Sequence, residues 1–596
     1  MRTDGYAPIE DYALIGDGRT AALVSRDGSI DWMCLPNLDS QSVFAAILDS
    51  DRGGRFELHP SIPFQSSRRY LPHTNVLETI FHTDRGSVRT VDAMTLPGRS
   101  LAPMRELVRV VDGLSGSVPM QCRFEPRFAY GAAAPRREMR GHIPVASYRA
   151  EAIALVAWEA GGPAWRGDAV EASFEVRQGE RSHLAMITAS GEPLVIPGKT
   201  AVDARLSETI AFWQAWTSAR DYDGPWMEMV LRSALVLKLL ILAQSGAAVA
   251  APTTSLPEEV GGQRNWDYRF CWIRDAFFMI SALLELGCYE EARSLFWWFL
   301  QATALTAPEL HVLYRLDGGI APREREVALA GYRGSRPVRL GNAAAEQTQL
   351  DVYGDMMEAA SRYSDGHHAV DADTGAVFAQ IADHVCDIWR LPDDGIWEVR
   401  NGPFHFTHSK VMCWVTLDRA VKLAERGEMP SRDVPRWKEE AGAIRRFVEE
   451  QCWSAKKNSY TRTSGTEEVD ASLLMLSHVD FVDPRGPQMR GTIDAVVREL
   501  SHGDFVYRYL ARDGLPGREG CFLNCSFWLV AALARAGRLD EANDLMARLA
   551  ARSNDVGLYS EEVDPSSGAF LGNFPQALVH LALIDAACAI RDASRP

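Results

Sequence analysis

The sequence predicts a multidomain β + α protein: an N-terminal antiparallel β-sandwich followed by a closed double ring of helices. Three observations carry this. Residues 1–205 read as short strands separated by turn residues. From about residue 207 the apolar period changes from that of strands to that of helices. Beyond residue 226 about a dozen amphipathic helical stretches follow one another with few strands between them. The division is 1–205 for the sandwich, 206–225 for a linker helix and 226–596 for the helical domain.

In the first domain, residues 20–25 and 29–34 flank Arg26-Asp27-Gly28, and residues 76–81 and 87–92 flank Asp84-Arg85-Gly86. An Asp-Gly-type turn between two apolar runs is a short-range hairpin signal. Residues 107–111, 152–157 and 170–176 continue the pattern. In the second domain, residues 227–243, 276–286, 290–305, 351–363, 377–391, 409–426, 437–451, 472–478, 492–500, 526–536, 541–551 and 577–591 carry apolar residues at helical spacing. Short and long connections alternate between them. A closed ring of this kind points one set of inner helix ends at a shared mouth, where the long connections gather.

The net charge of -16 argues against a nucleic-acid partner or an anionic membrane. The N-terminus, Met1-Arg-Thr-Asp-Gly-Tyr6, has no apolar signal region, and the most apolar run, residues 234–243, is too short and interrupted to span a bilayer. Ten scattered cysteines read as buried reduced thiols. A cytoplasmic enzyme is expected, with a homo-oligomer open.

Five connections carry the chemistry. Residues 251–258 run into Arg264-Asn-Trp-Asp-Tyr-Arg-Phe-Cys-Trp-Ile-Arg-Asp275, four aromatics and five charges in twelve positions. Flat rings beside charged forks suit a sugar, which offers apolar C–H faces and hydroxyls. An interdomain latch of ion pairs and rings fits the same residues. The connection 307–345 holds Arg333, Arg336 and Arg339 among glycines, read as braces for a long loop, with anion binding as the other option. Asp394-Gly-Ile-Trp-Glu-Val-Arg400 follows a turn signal and sets Glu398 beside Trp397. Burial beside a large ring disfavours a carboxyl group's charged form, which is what a general acid needs. His405 and His408 follow it without a third metal ligand nearby in sequence. The last two connections are residues 512–520, with Glu519, and residues 557–568, with Glu561, Glu562 and Asp564. Glu398 and the Glu561/Glu562 pair sit on late loops that a closed ring brings to one mouth. Two carboxyl groups across a sugar pocket are the minimal equipment of glycoside hydrolysis.

The chain resembles glycoside hydrolase family 15, the glucoamylase-like family, in its bacterial branch with an N-terminal sandwich. The resemblance runs through Ile9-Glu-Asp-Tyr-Ala-Leu-Ile-Gly16, Asp27-Gly-Ser-Ile-Asp-Trp32, residues 264–275 and 331–342, Gln349-Leu-Asp-Val-Tyr-Gly354, Ile396-Trp-Glu398, Ser409-Lys-Val-Met-Cys-Trp414, Ser526-Phe-Trp-Leu529 and residues 558–565. It implies an (α/α)6 barrel. It also implies Glu398 as general acid and Glu561 as general base, with Glu562 the near alternative. Trp272, Arg274 and Asp275 then bind the terminal glucose, and Tyr268, Trp397, Glu519 and Glu562 complete the substrate-binding set. No metal and no cofactor are implied. The expected reaction is inverting, exo-acting release of β-glucose from trehalose or a short α-gluco-oligosaccharide such as isomaltose or maltose. The alternatives are a glucoamylase or glucodextranase on longer α-glucans, an inverting α-glucoside phosphorylase, and a non-catalytic sugar-binding protein.

Overall fold

In the computed structural model, residues 2–96, 105–365 and 370–595 are described. All strand pairs of the N-terminal part are antiparallel, and fifteen strands lie between Tyr12 and Ser190. One strand, Arg105–Phe124, serves both layers. Its first half pairs with Gly86–Thr95 and Arg181–Ser190, its second with Phe56–Pro60 and Ala169–Arg177. The change of layer falls at Gly113–Gly116. A Cβ at Gly113 would meet the Arg177 carbonyl oxygen at 1.9 Å, and Gly116 has φ +64°. Only glycine tolerates both demands at so close a crossing.

The strands Tyr12–Gly16, Ala21–Ser25 and Ser29–Cys34 are buried along their whole length. A sheet with one wet face would alternate, so something covers the second face. The helical domain does. The Trp32 indole N–H donates to the Pro252 carbonyl at 2.7 Å, the Tyr332 hydroxyl donates to the Ala7 carbonyl, and the Asn554 amide donates to the carbonyls of Glu10 and Tyr12.

Between the two parts runs α1 (Lys199–Ser218). The Leu96 N–H donates to Thr209 Oγ1, and Arg205 pairs with the buried Glu106, so α1 is tied to the sheet it leaves.

Eleven further α-helices and one 3-10 helix make two concentric rings among the described residues. The outer ring holds α2 (Met227–Leu240), α4 (Tyr289–Thr303), α6 (Ala372–Ile388), α8 (Val434–Gln451), α9 (Pro487–Leu500) and α11 (Leu539–Ala550). The inner ring holds α3 (Ile273–Glu285), α5 (Asp351–Asp365), α7 (Thr407–Glu425), the 3-10 helix Ala471–Ser477, α10 (Leu523–Arg535) and α12 (Ala577–Ser594), each packed on the next and α12 back on α3. This is the closed (α/α)6 arrangement expected. The sequence dictates which ring each helix joins. On α11 only Ala542, Leu545, Met546 and Leu549 are buried, one face at i, i+3, i+4 and i+7. On α10 every residue from Leu523 to Ala534 is buried, as a helix surrounded by others requires. The 3-10 helix replaces the α-helical turn expected over 472–478. Asp470 caps it, its Oδ1 accepting from the Ser472 N–H. No helix among the described residues is long and apolar enough to cross a membrane.

Candidate active site

A pocket opens where N-terminal ends of the inner helices converge. Trp272, Phe522 and Gln576 stand immediately before α3, α10 and α12, and all three line it. Helix N-termini carry partial positive charge, so this end of the barrel favours carboxylates.

The stretch 264–275 builds one wall by alternation. Asn265–Asp267 is a short strand paired with Thr254–Pro257. Asp267 and Arg269 turn toward the sandwich: they pair at 2.8 Å, Arg269 Nη1 donates to the Ser40 carbonyl, and the guanidinium lies 5.8 and 5.7 Å from the ring centroids of Trp32 and Tyr130. Trp266, Tyr268, Trp272 and Arg274 line the pocket instead. The latch reading holds for Asp267 and Arg269, and the residues that alternate with them along this stretch form a pocket wall.

The facing wall is the turn 394–400. The Glu398 N–H donates to the Gly395 carbonyl at 3.1 Å, and Glu398 has φ +58°. A non-glycine residue there costs about 1–2 kcal/mol, and such strain concentrates at functional sites. The Trp272 indole N–H donates to Glu398 Oε1 at 3.0 Å. Arg274 Nη1 lies 4.0 Å from the same oxygen and donates to the Ile396 carbonyl at 3.0 Å. The side chain keeps 19% exposure, enough to meet a ligand. Trp397 also lines the pocket, and its ring packs on Trp528 and Phe522 at 5.8 and 6.1 Å. The indole that hydrogen-bonds Glu398 is therefore Trp272's, from across the pocket, rather than that of the neighbour in sequence.

Glu561 is fully buried behind Tyr268. Its Oε2 accepts the Asn573 N–H at 2.9 Å, and Oε1 accepts no hydrogen bond of normal length. Burial pushes its carboxyl above the ordinary range. The Asn573 amide, Arg508 and the Tyr268 phenol oppose that, and the negative charge of Glu398 adds to it. The two carboxylates thus sense each other, although Glu561 does not itself line the pocket: Tyr268 does. Glu562 is the next residue and points away. Its Oε2 accepts the Gly520 N–H at 2.7 Å and its Oε1 lies 3.4 Å from Arg508; burial, then the charge of Glu258, hold it well above the ordinary carboxylate range.

Asp275 holds Arg274 through two contacts of 3.1 Å to Oδ2, so it shapes the guanidinium that faces the pocket. Glu519 sits between Arg264 at 3.1 Å and Arg508 at 2.5 Å.

Sequence reasoning passed over Glu258, Arg400 and Arg508, which also line the pocket. Glu258 Oε1 accepts the Trp266 indole N–H at 2.9 Å, Oε2 has no hydrogen-bond partner, and burial pushes its carboxyl up to about 8. Oxygens of Glu258, Glu519 and Glu562 lie within 4.8 Å of one another, a spacing that a cation could bridge. Arg508 supplies a cation from within the chain, 3.4, 2.5 and 3.4 Å from the three.

The other motifs resolve as structure. Arg339 donates to Glu324 and to the carbonyls of Gln263 and Asn265, Arg336 donates to the Ala330 carbonyl, and Arg333 lies over the Tyr332 ring, so the three brace their loop. His408 is buried 3.8 Å from Asp351, and burial, with Arg274, pushes it down to about 3. Among the described residues neither it nor His405 belongs to a group with metal-ligand spacing. Cys521 and Cys525 are buried free thiols.

The architecture and sequence have known counterparts. The model of the glycosyl hydrolases family 15 matches residues 224–588, and a trehalase-like N-terminal model matches residues 2–157. A trehalase of Thermoplasma volcanium is 35% identical over 100% of this chain and 95% of its own length. A trehalase of Mycolicibacterium smegmatis is 37% identical over 98% of this chain and 91% of its own. A bacterial glucoamylase complexed with acarbose superposes with a TM-score of 0.72, covering 99% of this chain and 96% of that one at 12% identity, a likeness of fold. Both parts of the chain are accounted for, in order and nearly end to end: the chain belongs to glycosyl hydrolases family 15 and is a glycoside hydrolase.

Proposed function

We propose that this enzyme hydrolyses a small α-glucoside, trehalose foremost, from the non-reducing end with inversion, and that residues 226–596 are its catalytic domain. Glu398 is the general acid and Glu561 the general base. The observation that carries the reading is the pair itself. Glu398, strained into a left-handed turn, is held by Trp272 on one side of the pocket, and Glu561 is held by the Asn573 amide behind Tyr268.

The chemistry follows from those positions. Arg274 and Trp272 hold the terminal glucose against the α3 N-terminus. Glu398 gives its proton to the glycosidic oxygen as the bond from that oxygen to C1 breaks. Glu561 takes a proton from a water molecule whose oxygen bonds C1 from the opposite face. The products are β-glucose and the released sugar, with Glu398 ionised and Glu561 protonated until solvent restores both. Inverting pairs stand about 6.5–9.5 Å apart so that the water fits. Tyr268 orients the base. Glu562 is turned instead toward Gly520 and Arg508.

The choice of trehalose is supported by full-length relatives that carry that name at 35–37% identity. The test is glucose release from trehalose, maltose, isomaltose, maltotriose and dextran, with the anomer followed by proton NMR. Fastest turnover of trehalose is expected, with β- and α-glucose formed first in equal amounts: β from the unit attacked at C1, α from the departing unit, whose own anomeric bond is not broken. α-Glucose alone as the first product would refute inversion, glucose 1-phosphate formed in the presence of phosphate would refute hydrolysis, and faster turnover of dextran would refute the small substrate.

A further inference from the structure

Four arginines line the pocket, and three are committed. Arg264 pairs with Asp513 and Glu519, Arg274 with Asp275, and Arg508 with Glu519. Arg400 is different. Among the described residues no carboxylate lies within 4 Å of its guanidinium and no hydrogen bond occupies it. Asp394 senses it only from farther away and accepts from the Thr348 N–H instead. The Arg400 backbone, by contrast, is pinned, its N–H donating to the Asp513 carbonyl at 2.7 Å. Its guanidinium lies 5.9 Å from the Trp266 ring centroid, a ring fixed by Glu258 at its indole N–H and by Arg339 at 4.5 Å.

The turn explains the direction. Glu398 and Arg400 line the pocket while Val399 between them is 1% exposed. The acid and the free guanidinium therefore share one face. Glu398 is approached from one side by Trp272 and Arg274, where the terminal glucose sits in the proposed reading. Arg400 flanks it along the turn, and in that same reading the departing group lies away from Trp272 and Arg274, toward Arg400. A planar donor with five N–H groups and no internal acceptor is suited to sugar hydroxyls.

We propose that Arg400, steadied by Trp266, binds the leaving sugar through its hydroxyls and is the specificity-determining residue for a disaccharide over glucosides whose leaving group has no hydroxyls. This rests on the α-glucosidase reading above. The test compares kcat/KM on trehalose with kcat/KM on α-glucosyl fluoride, which has no leaving sugar, for the wild type, Arg400→Ala and Arg400→Lys. Removing a charged donor to a hydroxyl lowers the trehalose-to-fluoride ratio by ~10- to 100-fold, and lysine restores part of it. The pH profile on trehalose keeps its limbs, since the acid and base are untouched. The fluoride reaction reports folding in the same sample. A ratio within about twofold of wild type beside normal wild-type activity would overturn the assignment of Arg400 alone. A wild type inert on both substrates would overturn the parent reading and this one with it.

Discussion

Glu258→Gln is the substitution through which the charge balance of the pocket is read most directly. Burial raises the Glu258 carboxyl from 4.5 to about 8, with Glu519 and Glu561 adding to the rise and Arg508 and Arg264 opposing it. Glutamine keeps an oxygen for the Trp266 indole and cannot ionise. The folded chain holds the Glu258 proton more tightly than the unfolded chain does. That contribution to stability is fully present below the unfolded value of 4.5 and is lost as pH rises through about 8. At about 1.4 kcal/mol per pKa unit the ceiling is roughly 5 kcal/mol. Arg508 and Arg264, 3.4 and 3.9 Å from Oε2, can move toward the carboxylate as it ionises, so roughly 2–4 kcal/mol is expected. The assay is urea unfolding of both proteins at several pH values from 5 to 9, following the barrel by tryptophan fluorescence. The two should unfold alike near pH 5, and the wild type should fall behind the variant as pH rises to 9. A gap that stays constant over that window would mean that Glu258 titrates normally, and the burial argument would be wrong.

Three further outcomes follow from the same geometry. Glu398→Gln should lower kcat on trehalose by about 10²–10⁴ while losing much less on α-glucosyl fluoride, whose leaving group needs little protonation. Equal losses on both substrates would remove Glu398 as the acid. Glu561→Gln should lose a similar factor on both substrates, with Glu562→Gln closer to wild type in kcat, because burial already favours the neutral form of that carboxyl; the reverse order in kcat would move the base by one residue. Arg274→Ala should raise KM and lower kcat together, and an unchanged kcat/KM would take it out of the pocket.

The fold was legible because both periods were clean, and outer helices such as α11 carry one apolar stripe where inner ones such as α10 carry apolar residues all round. The stretch 264–275 was legible as important and ambiguous as to why. Composition cannot tell a latch from a pocket wall when alternate residues of one extended stretch serve each, with Asp267 and Arg269 on one side and Tyr268 on the other. Arg508 escaped because a lone charged residue in a loop reads as solvated, and Glu258 and Arg400 because they close stretches whose other residues drew the argument. Only the closed ring brings residues 258, 400 and 508 to one pocket. The partner of the Glu398 carboxyl was equally hidden, since Trp272 is 126 residues away in sequence.

Five carboxyl groups, those of Glu258, Glu398, Glu519, Glu561 and Glu562, share this end of the barrel with three arginines, Arg264, Arg274 and Arg508, already in contact with them. Arg264 and Arg274 are shared with Asp513 and Asp275, so these five carboxyl groups cannot all stay ionised in a site this buried, and some acids must keep their protons. Burial selects Glu258, raised to about 8, and Glu562, raised well above the ordinary range; in the proposed reading Glu398 keeps a third proton, the one it donates. Each held proton removes a negative charge beside Glu561, whose Oε2 has the Asn573 amide to stabilise it as an anion. A group that must pull a proton from water has to begin ionised. In the proposed reading these neighbours favour Glu561 as the base, so neutralising Glu258 or Glu562 by an amide should leave the base in place, whereas an amide at Glu561 should remove it.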